Sequence, residues 1–155
     1  MAIIPALAAL AGEWKGTNRL HLTWMPNPLH ESDSTARVRP IVGGQSLEIA
    51  YTWAYEGTPH EGLLVMTGDE GGKTMRAFWT DSWHSSHVLM FCEGSAGGNG
   101  KVSLKGSYAV PDHADWGWRT DIIPSESEFQ YVMYNVSPEG IEELAVETTF
   151  VRSEG

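Results

Sequence analysis

Alternation of apolar and polar residues with a period of two, beginning at Gly12, most constrains how this chain can fold. Between Gly12 and Trp24 one face is polar throughout, and the other carries Trp14, Gly16, Asn18, Leu20, Leu22 and Trp24. Successive side chains of a β-strand point to opposite faces of its sheet. The pattern therefore predicts a strand with one buried face and one face in water.

Similar segments follow, separated by turn sequences such as Gly43-Gly44, Asn99-Gly100, and residues 56–61, 69–72 and 137–140. We predict further strands at about 34–42, 47–55, 63–68, 73–80, 87–93, 101–108, 117–123, 128–136 and 140–152, which with the first makes about ten. Consecutive hairpins favour an up-and-down antiparallel barrel, because closure removes exposed strand edges. A two-layer sandwich is the alternative.

A short apolar segment precedes the first strand. Pro5 suits a first helical turn, and apolar residues recur every third position at Ile4, Leu7 and Leu10. The segment predicts a short helix that ends at Gly12. It is too short to span a bilayer and lacks a basic leading region. With no linker or internal repeat in the sequence, we expect one all-β domain over residues 1–155.

The width of such a barrel bears on its function. A barrel of more than about eight strands is too wide for its own side chains to fill easily. We therefore expect a cavity inside it.

Composition narrows the range of partners. Lys and Arg number 10 against 20 Asp and Glu, so the net charge is −10 at pH 7. This charge repels phosphate backbones and anionic lipid, and we expect neither nucleic acid nor membrane as a partner. The single Cys92 has no partner for an internal disulfide or a thiolate metal site, and it fits a reducing cytoplasm.

The segment from Leu10 to Gly16, Leu-Ala-Gly-Glu-Trp-Lys-Gly, resembles the Gly-x-Trp opening of the calycin superfamily, to which the lipocalins belong. In that superfamily a basic residue at the end of the last strand packs over this Trp. The resemblance implies that Arg152 packs over Trp14 and closes the base of the barrel, which is a structural role. A guanidinium that stacks on an indole also leaves its N–H groups free to reach carbonyl oxygens.

Nearly the whole chain resembles a calycin-like family of domains of unknown function, related in shape to the haem-binding nitrobindins. The segments that carry this resemblance begin at Gly12, Tyr55, Trp79, Gly106, Trp116, Met133 and Ala145. The resemblance implies the barrel more firmly than any activity. Haem is the cofactor it suggests, but nitrobindins take their haem-binding His from the C-terminal part of the barrel, and no His follows His113 here. We predict no cofactor, with haem as the alternative.

The densest polar and aromatic cluster runs from Trp79 to His87. Asp81 and His84 are candidates for an acid-base pair, and Trp83 for a wall beside them. The alternative is a turn in which Asp81 and the Ser residues bond to the local backbone. A metal held by His84, His87 and either His113 or Asp81 matches no familiar ligand spacing, so we predict no metal.

A second cluster spans Asp112–Asp121. Trp118 is a candidate for stacking on a ligand, and Arg119 for pairing with a ligand carboxylate. Alternatively the Trp residues fill the barrel and Arg119 pairs with Asp121 or Glu128. For Tyr134 and Glu147, hydrogen bonding within the barrel and contact with a ligand remain open.

These observations favour a barrel that binds a small apolar or aromatic molecule. The candidate ligand-binding residues are Trp24, Trp53, Trp79, Trp83, His84, Trp118, Arg119 and Tyr134. The first alternative is an enzyme that uses Asp81 and His84 at the mouth of the cavity. The others are a haem-binding nitrobindin-like protein and a structural protein that self-associates, for example as a homodimer.

Overall fold

The computed structural model describes residues 3–69, 71–85 and 87–153. The predicted turn at 69–72 includes Glu70 and the polar cluster includes Ser86; these two residues, and residues 1, 2, 154 and 155 of the predicted domain, lie outside the described residues. Among the residues described, no helix is long and apolar enough to cross a membrane.

Ten antiparallel strands form one closed barrel, in which each strand pairs with its neighbours in sequence and the first pairs with the last. A short helix, α1 (Pro5–Ala8), precedes them, and a single 3-10 turn lies at Val42–Gly44. The strands are β1 (Gly12–His21), β2 (Leu29–Ile41), β3 (Ser46–Tyr55), β4 (Thr58–Gly68), β5 (Met75–Asp81), β6 (Met90–Ala96), β7 (Val102–Tyr108), β8 (Trp116–Pro124), β9 (Glu128–Val136) and β10 (Glu142–Arg152). The predicted all-β barrel is confirmed.

The first hairpin differs from its prediction. β1 ends at His21, not at Trp24, and the Trp24 side chain is 75% exposed in the loop that follows. Pro26 and Pro28 lack the backbone N–H that a paired strand uses, so the alternation cannot continue through them. The Leu22 N–H instead donates to the Pro28 carbonyl at 2.7 Å and closes the loop.

The observed starts of β4 and β6 also differ from the predicted ones, for similar local reasons. The turn predicted over residues 56–61 consists of Glu56 and Gly57, whose φ angles are 49° and 82°, and β4 starts directly after them at Thr58. Positive φ at two successive residues is typical of the tightest hairpin turns. β6 begins at Met90, three residues later than predicted, because His87 has a φ of 66° and cannot lie in a strand.

Large side chains on the inward face fill the end of the barrel beside α1. Phe129 lies edge-on to Trp14 at 4.8 Å between ring centroids and stacks on Phe150 at 4.9 Å. Leu7 of α1 is fully buried in the same hydrophobic core. Gly16 lets β1 and β10 approach closely, since a Cβ there would overlap the carbonyl oxygen of Thr149.

Arg152 and Trp14 close this end of the barrel. The Arg152 guanidinium lies 4.1 Å from the centre of the Trp14 ring and donates to the carbonyls of Ala11 at 2.6 Å and Ala9 at 2.7 Å. The Trp14 indole N–H donates to the Leu10 carbonyl at 2.8 Å. Arg152 thus links the end of β10 to the carbonyl groups that follow α1, which lack helical partners.

We predict that Arg152→Met lowers the free energy of unfolding by about 2 kcal/mol, because it removes one cation–π contact and two charged hydrogen bonds. Urea denaturation measures the change. Arg37→Met is the matched control: Arg37 forms one exposed ion pair with Glu13 at 3.2 Å, and its loss is expected to cost under about 1 kcal/mol. Equal effects of the two substitutions would contradict the role given to Arg152.

Candidate functional site

The candidate site lies at the end of the barrel opposite α1, where β5 ends and a tight turn follows. Asp81, the last residue of β5, is only 1% exposed. The Ser85 hydroxyl accepts from the Asp81 N–H at 2.9 Å, and the Ser85 N–H donates to the Asp81 carbonyl at 3.1 Å. These bonds form the local turn that the sequence analysis gave as the alternative to an acid-base pair. The turn places Trp83 and His84 at the mouth of the barrel.

Four donors surround the Asp81 carboxylate. Oδ1 accepts the backbone N–H groups of Trp83 at 2.9 Å and His84 at 3.1 Å. Oδ2 accepts the Tyr51 hydroxyl at 2.6 Å and the Trp53 indole N–H at 3.2 Å. A buried carboxylate is tolerated only when its lone pairs are satisfied in this way.

These partners decide the charge of the site. Burial raises the pKa of the Asp81 carboxyl, but the His84 ring and the hydrogen bonds from Tyr51 and Trp83 outweigh it and lower the pKa to about 2. Burial, together with the nearby Tyr131 and Asp81, raises the pKa of Tyr51 well above its ordinary value. At neutral pH the site therefore holds an ionised carboxylate and a protonated tyrosine that donates to it.

The His84 imidazole lies between the carboxylate and the opening of the barrel. Its side chain is 10% exposed, and Nδ1 is 3.3 Å from Oδ1 of Asp81, within ion-pair distance but not aligned as a hydrogen bond. Nε2 has no hydrogen-bond partner in the structure. Four indoles lie 4.8 to 5.8 Å from its ring centroid, those of Trp53, Trp79, Trp83 and Trp118.

A small pocket opens beside His84, and we call it the mouth pocket. Its volume is about 90 Å³, and its walls are Leu20, His21, Leu22, Trp24, Trp83, His84, Trp118, Asn135, Glu143, Leu144 and Ala145. The indole N–H of Trp118, like Nε2 of His84, is buried without a hydrogen-bond partner. Two buried polar atoms without partners thus belong to residues that line one pocket.

The mouth pocket is smaller than the cavity expected from the sequence. Large side chains occupy much of the barrel: Trp79 stacks on Trp118 at 5.3 Å, and the Tyr51 and Tyr131 rings lie 5.2 Å apart. Pockets for drug-sized ligands measure roughly 300 Å³ or more. Four buried Trp side chains, those of Trp14, Trp53, Trp79 and Trp118, help to explain how a ten-stranded barrel can be filled from within.

The structure brings together six of the predicted ligand-binding residues. Trp24, Trp83, His84 and Trp118 line the mouth pocket. Trp53 and Trp79 lie behind them: the Trp53 indole donates to Asp81, and the Trp79 indole donates to the Tyr51 hydroxyl at 2.9 Å.

Arg119 and Tyr134 are placed elsewhere, on the outer face of the barrel. The Arg119 guanidinium lies 4.1 Å from the centre of the Tyr134 ring and pairs with Asp121 at 3.4 Å and Glu142 at 3.1 Å. The pair with Asp121 is the one that the sequence analysis gave as the alternative to contact with a ligand carboxylate. Trp118 points inward, so its neighbour in the strand must point outward.

Several residues of the site were not singled out from the sequence, and three of them form hydrogen bonds there. Tyr51 donates to Asp81, Asn135 accepts the Tyr108 hydroxyl at 2.6 Å, and Glu143 accepts the Thr23 hydroxyl. Tyr51 carried a signal, because a hydroxyl on the buried face of a strand requires a partner. Asn135 and Glu143 gave no comparable signal.

A larger open groove of about 1090 Å³ runs across β1 to β5, and Tyr51 and Asp81 are among its lining residues. Four of the charged side chains along it form ion pairs, Arg37 with Glu13 and Arg39 with Glu48. None of its lining residues contributes a buried polar atom without a partner. The mouth pocket, though smaller, is therefore the better candidate site.

The side chains that the structure describes at the mouth pocket do not fit a metal or a haem. Among residues 3–69, 71–85 and 87–153, no three His, Cys, Asp or Glu side chains lie close enough to hold a metal ion. His84, a buried imidazole whose Nε2 has no hydrogen-bond partner, faces a space of about 90 Å³ beside two indoles, those of Trp83 and Trp118. That space is too small for a porphyrin, given that drug-sized ligands already need roughly 300 Å³.

Comparisons with known proteins agree with the fold. The profile of a family described as "Protein of unknown function (DUF1579)" matches residues 5–152. The crystal structure of Rv2717c from M. tuberculosis is similar, with a TM-score of 0.67 and 15% sequence identity, over 98% of this chain and 99% of that one. At this identity the similarity concerns the fold alone. No curated protein sequence matches the chain.

We predict that Asp81→Asn removes a pH-dependent part of the stability. Because the pKa of Asp81 is about 2 when folded against an ordinary 3.8, folding favours the ionised carboxyl. The resulting stabilisation, about 2 kcal/mol, is fully present above about pH 5 and is lost as the pH falls toward 2. Urea denaturation of both proteins between pH 7 and 2 should show their difference in stability shrinking over this range.

Asp33→Asn, at an exposed position of β2, controls for the removal of one negative charge. A difference between wild type and Asp81→Asn that stays constant down to pH 2 would contradict the ionised, hydrogen-bonded carboxylate.

Proposed function

We propose that this chain, which belongs to the DUF1579 family of proteins of unknown function, binds a small molecule in the mouth pocket through His84 and Trp118. The observation that supports this most directly is that the Trp118 indole N–H and Nε2 of His84 are both buried without partners. A buried polar atom without a hydrogen bond costs about 1–3 kcal/mol. A ligand that bonds to both atoms would offset that cost.

The chemistry of the two atoms indicates which ligand group fits them. Trp118 is a donor only. The ionised Asp81 beside Nδ1 of His84 favours the tautomer with its proton on Nδ1, which leaves Nε2 as an acceptor. The complementary ligand group both accepts and donates, as a hydroxyl or an amide does. The pocket is thus matched to a polar head group surrounded by indoles.

Size limits how much of a ligand can enter. A volume of about 90 Å³ corresponds to about three water molecules in the liquid. A head group of a few heavy atoms fills it, and the remainder of a larger ligand would pass Trp24 into solvent.

One observation favours a second function, proton transfer. His84 has Asp81 behind its Nδ1 and an unpartnered Nε2 on the side chain that lines the pocket. A general base requires this arrangement, an oriented imidazole within reach of the proton it removes. Conversion of a bound ligand, measured as product formed per protein molecule, separates the enzyme from the carrier.

The remaining assignments are proposals with narrower support. The contact between Arg152 and Trp14 supports membership of the calycin superfamily and kinship with the nitrobindins. The single buried thiol of Cys92, whose pKa burial raises to about 11, supports a cytoplasmic location. The exposed Phe91, Val88 and Leu89 support a homodimer as the alternative to a monomeric carrier.

We predict that acetamide, which both donates and accepts, binds in the mouth pocket and shifts the indole N–H resonance of Trp118 in an NMR titration. Trp118→Phe keeps an aromatic ring on Trp79 but removes the donor. It should weaken acetamide about fivefold, the worth of one hydrogen bond of about 1 kcal/mol. Trp116→Phe, in the same strand but outside the pocket walls, is the control and should leave the affinity unchanged. An unshifted Trp118 resonance in the wild type would refute the proposal.

A further inference from the structure

We infer that the ligand of the mouth pocket carries a positive charge next to its polar head group, as an amino alcohol or its quaternary ammonium counterpart does. This inference rests on the proposed function, because it assumes that a hydroxyl or amide occupies the space between His84 and Trp118. It adds the charge of the ligand, which the two unpartnered atoms do not specify.

The charge at the rim of the pocket is the first observation. Glu143 is one of the pocket walls, and no Lys or Arg is among the described residues that form them. Its Oε1 accepts the Thr23 hydroxyl, and no basic side chain lies within ion-pair distance of it in the described part of the chain. The Glu143 carboxylate therefore has no cation of its own.

A neighbouring carboxylate shows the contrast. Glu147, four residues further along β10, pairs with Arg19 at 3.2 Å and with His21 at 3.3 Å. Its charge is balanced by the protein, whereas that of Glu143 is left to solvent or to a ligand. An unbalanced carboxylate at the opening of an indole-walled pocket attracts a cation and repels an anion.

Aromatic side chains at the same rim are the second observation. Trp24 is 75% exposed and Trp83 is partly buried, and both line the pocket. An indole face attracts an ammonium group more strongly than the other aromatic side chains do. An exposed side chain such as Trp24 changes rotamer within nanoseconds, so its ring can turn toward a bound cation.

The net charge of −10 acts in the same direction over a longer range. It raises the local concentration of cations and lowers that of anions around the whole molecule, most strongly at low salt. Placed in this pocket, an amino alcohol puts its hydroxyl between His84 and Trp118 and its ammonium group between Trp24 and Glu143. Each part of such a ligand meets a group of complementary chemistry.

The test compares choline with 3,3-dimethylbutan-1-ol, which has the same shape and hydroxyl but no charge. Quenching of Trp emission, with calorimetry as a second measure, gives both affinities. We expect choline to bind about tenfold tighter at low salt, the sum of one cation–π contact and one ion pair. The difference should narrow in 0.5 M salt, where charges at the rim are screened.

Two variants assign the preference to the rim. Glu143→Gln should weaken choline about threefold and leave the neutral alcohol unchanged. Trp24→Ala, at an exposed position, should do the same through loss of the indole. Glu139→Gln, an exposed acid in the turn before β10 and outside the pocket, is the matched control and should affect neither compound.

The outcomes separate the two proposals. Equal binding of choline and the alcohol, each with a shift of the Trp118 resonance, would overturn the charge preference and leave the proposed function standing. Tighter binding of the neutral alcohol than of choline would likewise overturn the charge preference and leave the proposed function standing. Absence of binding by both compounds, together with an unshifted Trp118 resonance in acetamide, would overturn both proposals.

Discussion

Closure of the barrel between its first and last strands is the constraint on which the rest of the structure depends. β1 and β10 pair over seven positions, from Trp14 opposite Arg152 to Leu20 opposite Val146. This pairing joins residues separated by more than 120 positions in sequence, so its entropic cost must be met by packing. The ring cluster of Trp14, Phe129 and Phe150 provides that packing at one end. At the other end the same pairing brings the loop that carries Trp24 beside Glu143, and so builds one side of the mouth pocket.

Asp81 organises the opposite side of the pocket. Its carboxylate takes two donors from the backbone of its own turn and two from side chains of β3, so it ties the turn to the barrel wall. Loss of any donor would leave part of a buried charge unsatisfied, which is among the more costly defects in a protein interior. The turn is therefore held in one conformation, and His84 is held with it. A group kept in place by such bonds is preorganised for a ligand.

The sequence predicted the strands well because their signal is local. Trp14 and Leu20 follow the alternation and are buried. Trp24 is exposed, because β1 ends at His21 and the prolines at 26 and 28 prevent the strand from continuing. The same alternation turns Arg119 outward, as the neighbour of the inward Trp118, and there it forms the ion pair with Asp121 that the sequence offered as an alternative. The hydrogen bonds from Tyr51 and Trp53 to Asp81 join residues that are 30 and 28 positions apart in sequence. They depend on the register between β3, β4 and β5, which no single segment encodes.

The size of the pocket could not be predicted from the sequence either, and the reason bears on function. Strand number fixes the width of a barrel, but the space left inside depends on rotamers, and here stacked indoles fill it. Such filling stabilises the barrel through dispersion and apolar burial. Among the buried polar atoms without a partner, those of Trp118 and His84 belong to residues that line the mouth pocket. In a barrel packed for stability alone, these two atoms would be expected to have partners or to be replaced by apolar groups. Their position beside the mouth pocket is the physical basis for proposing a binding role for a barrel so nearly filled by its own side chains.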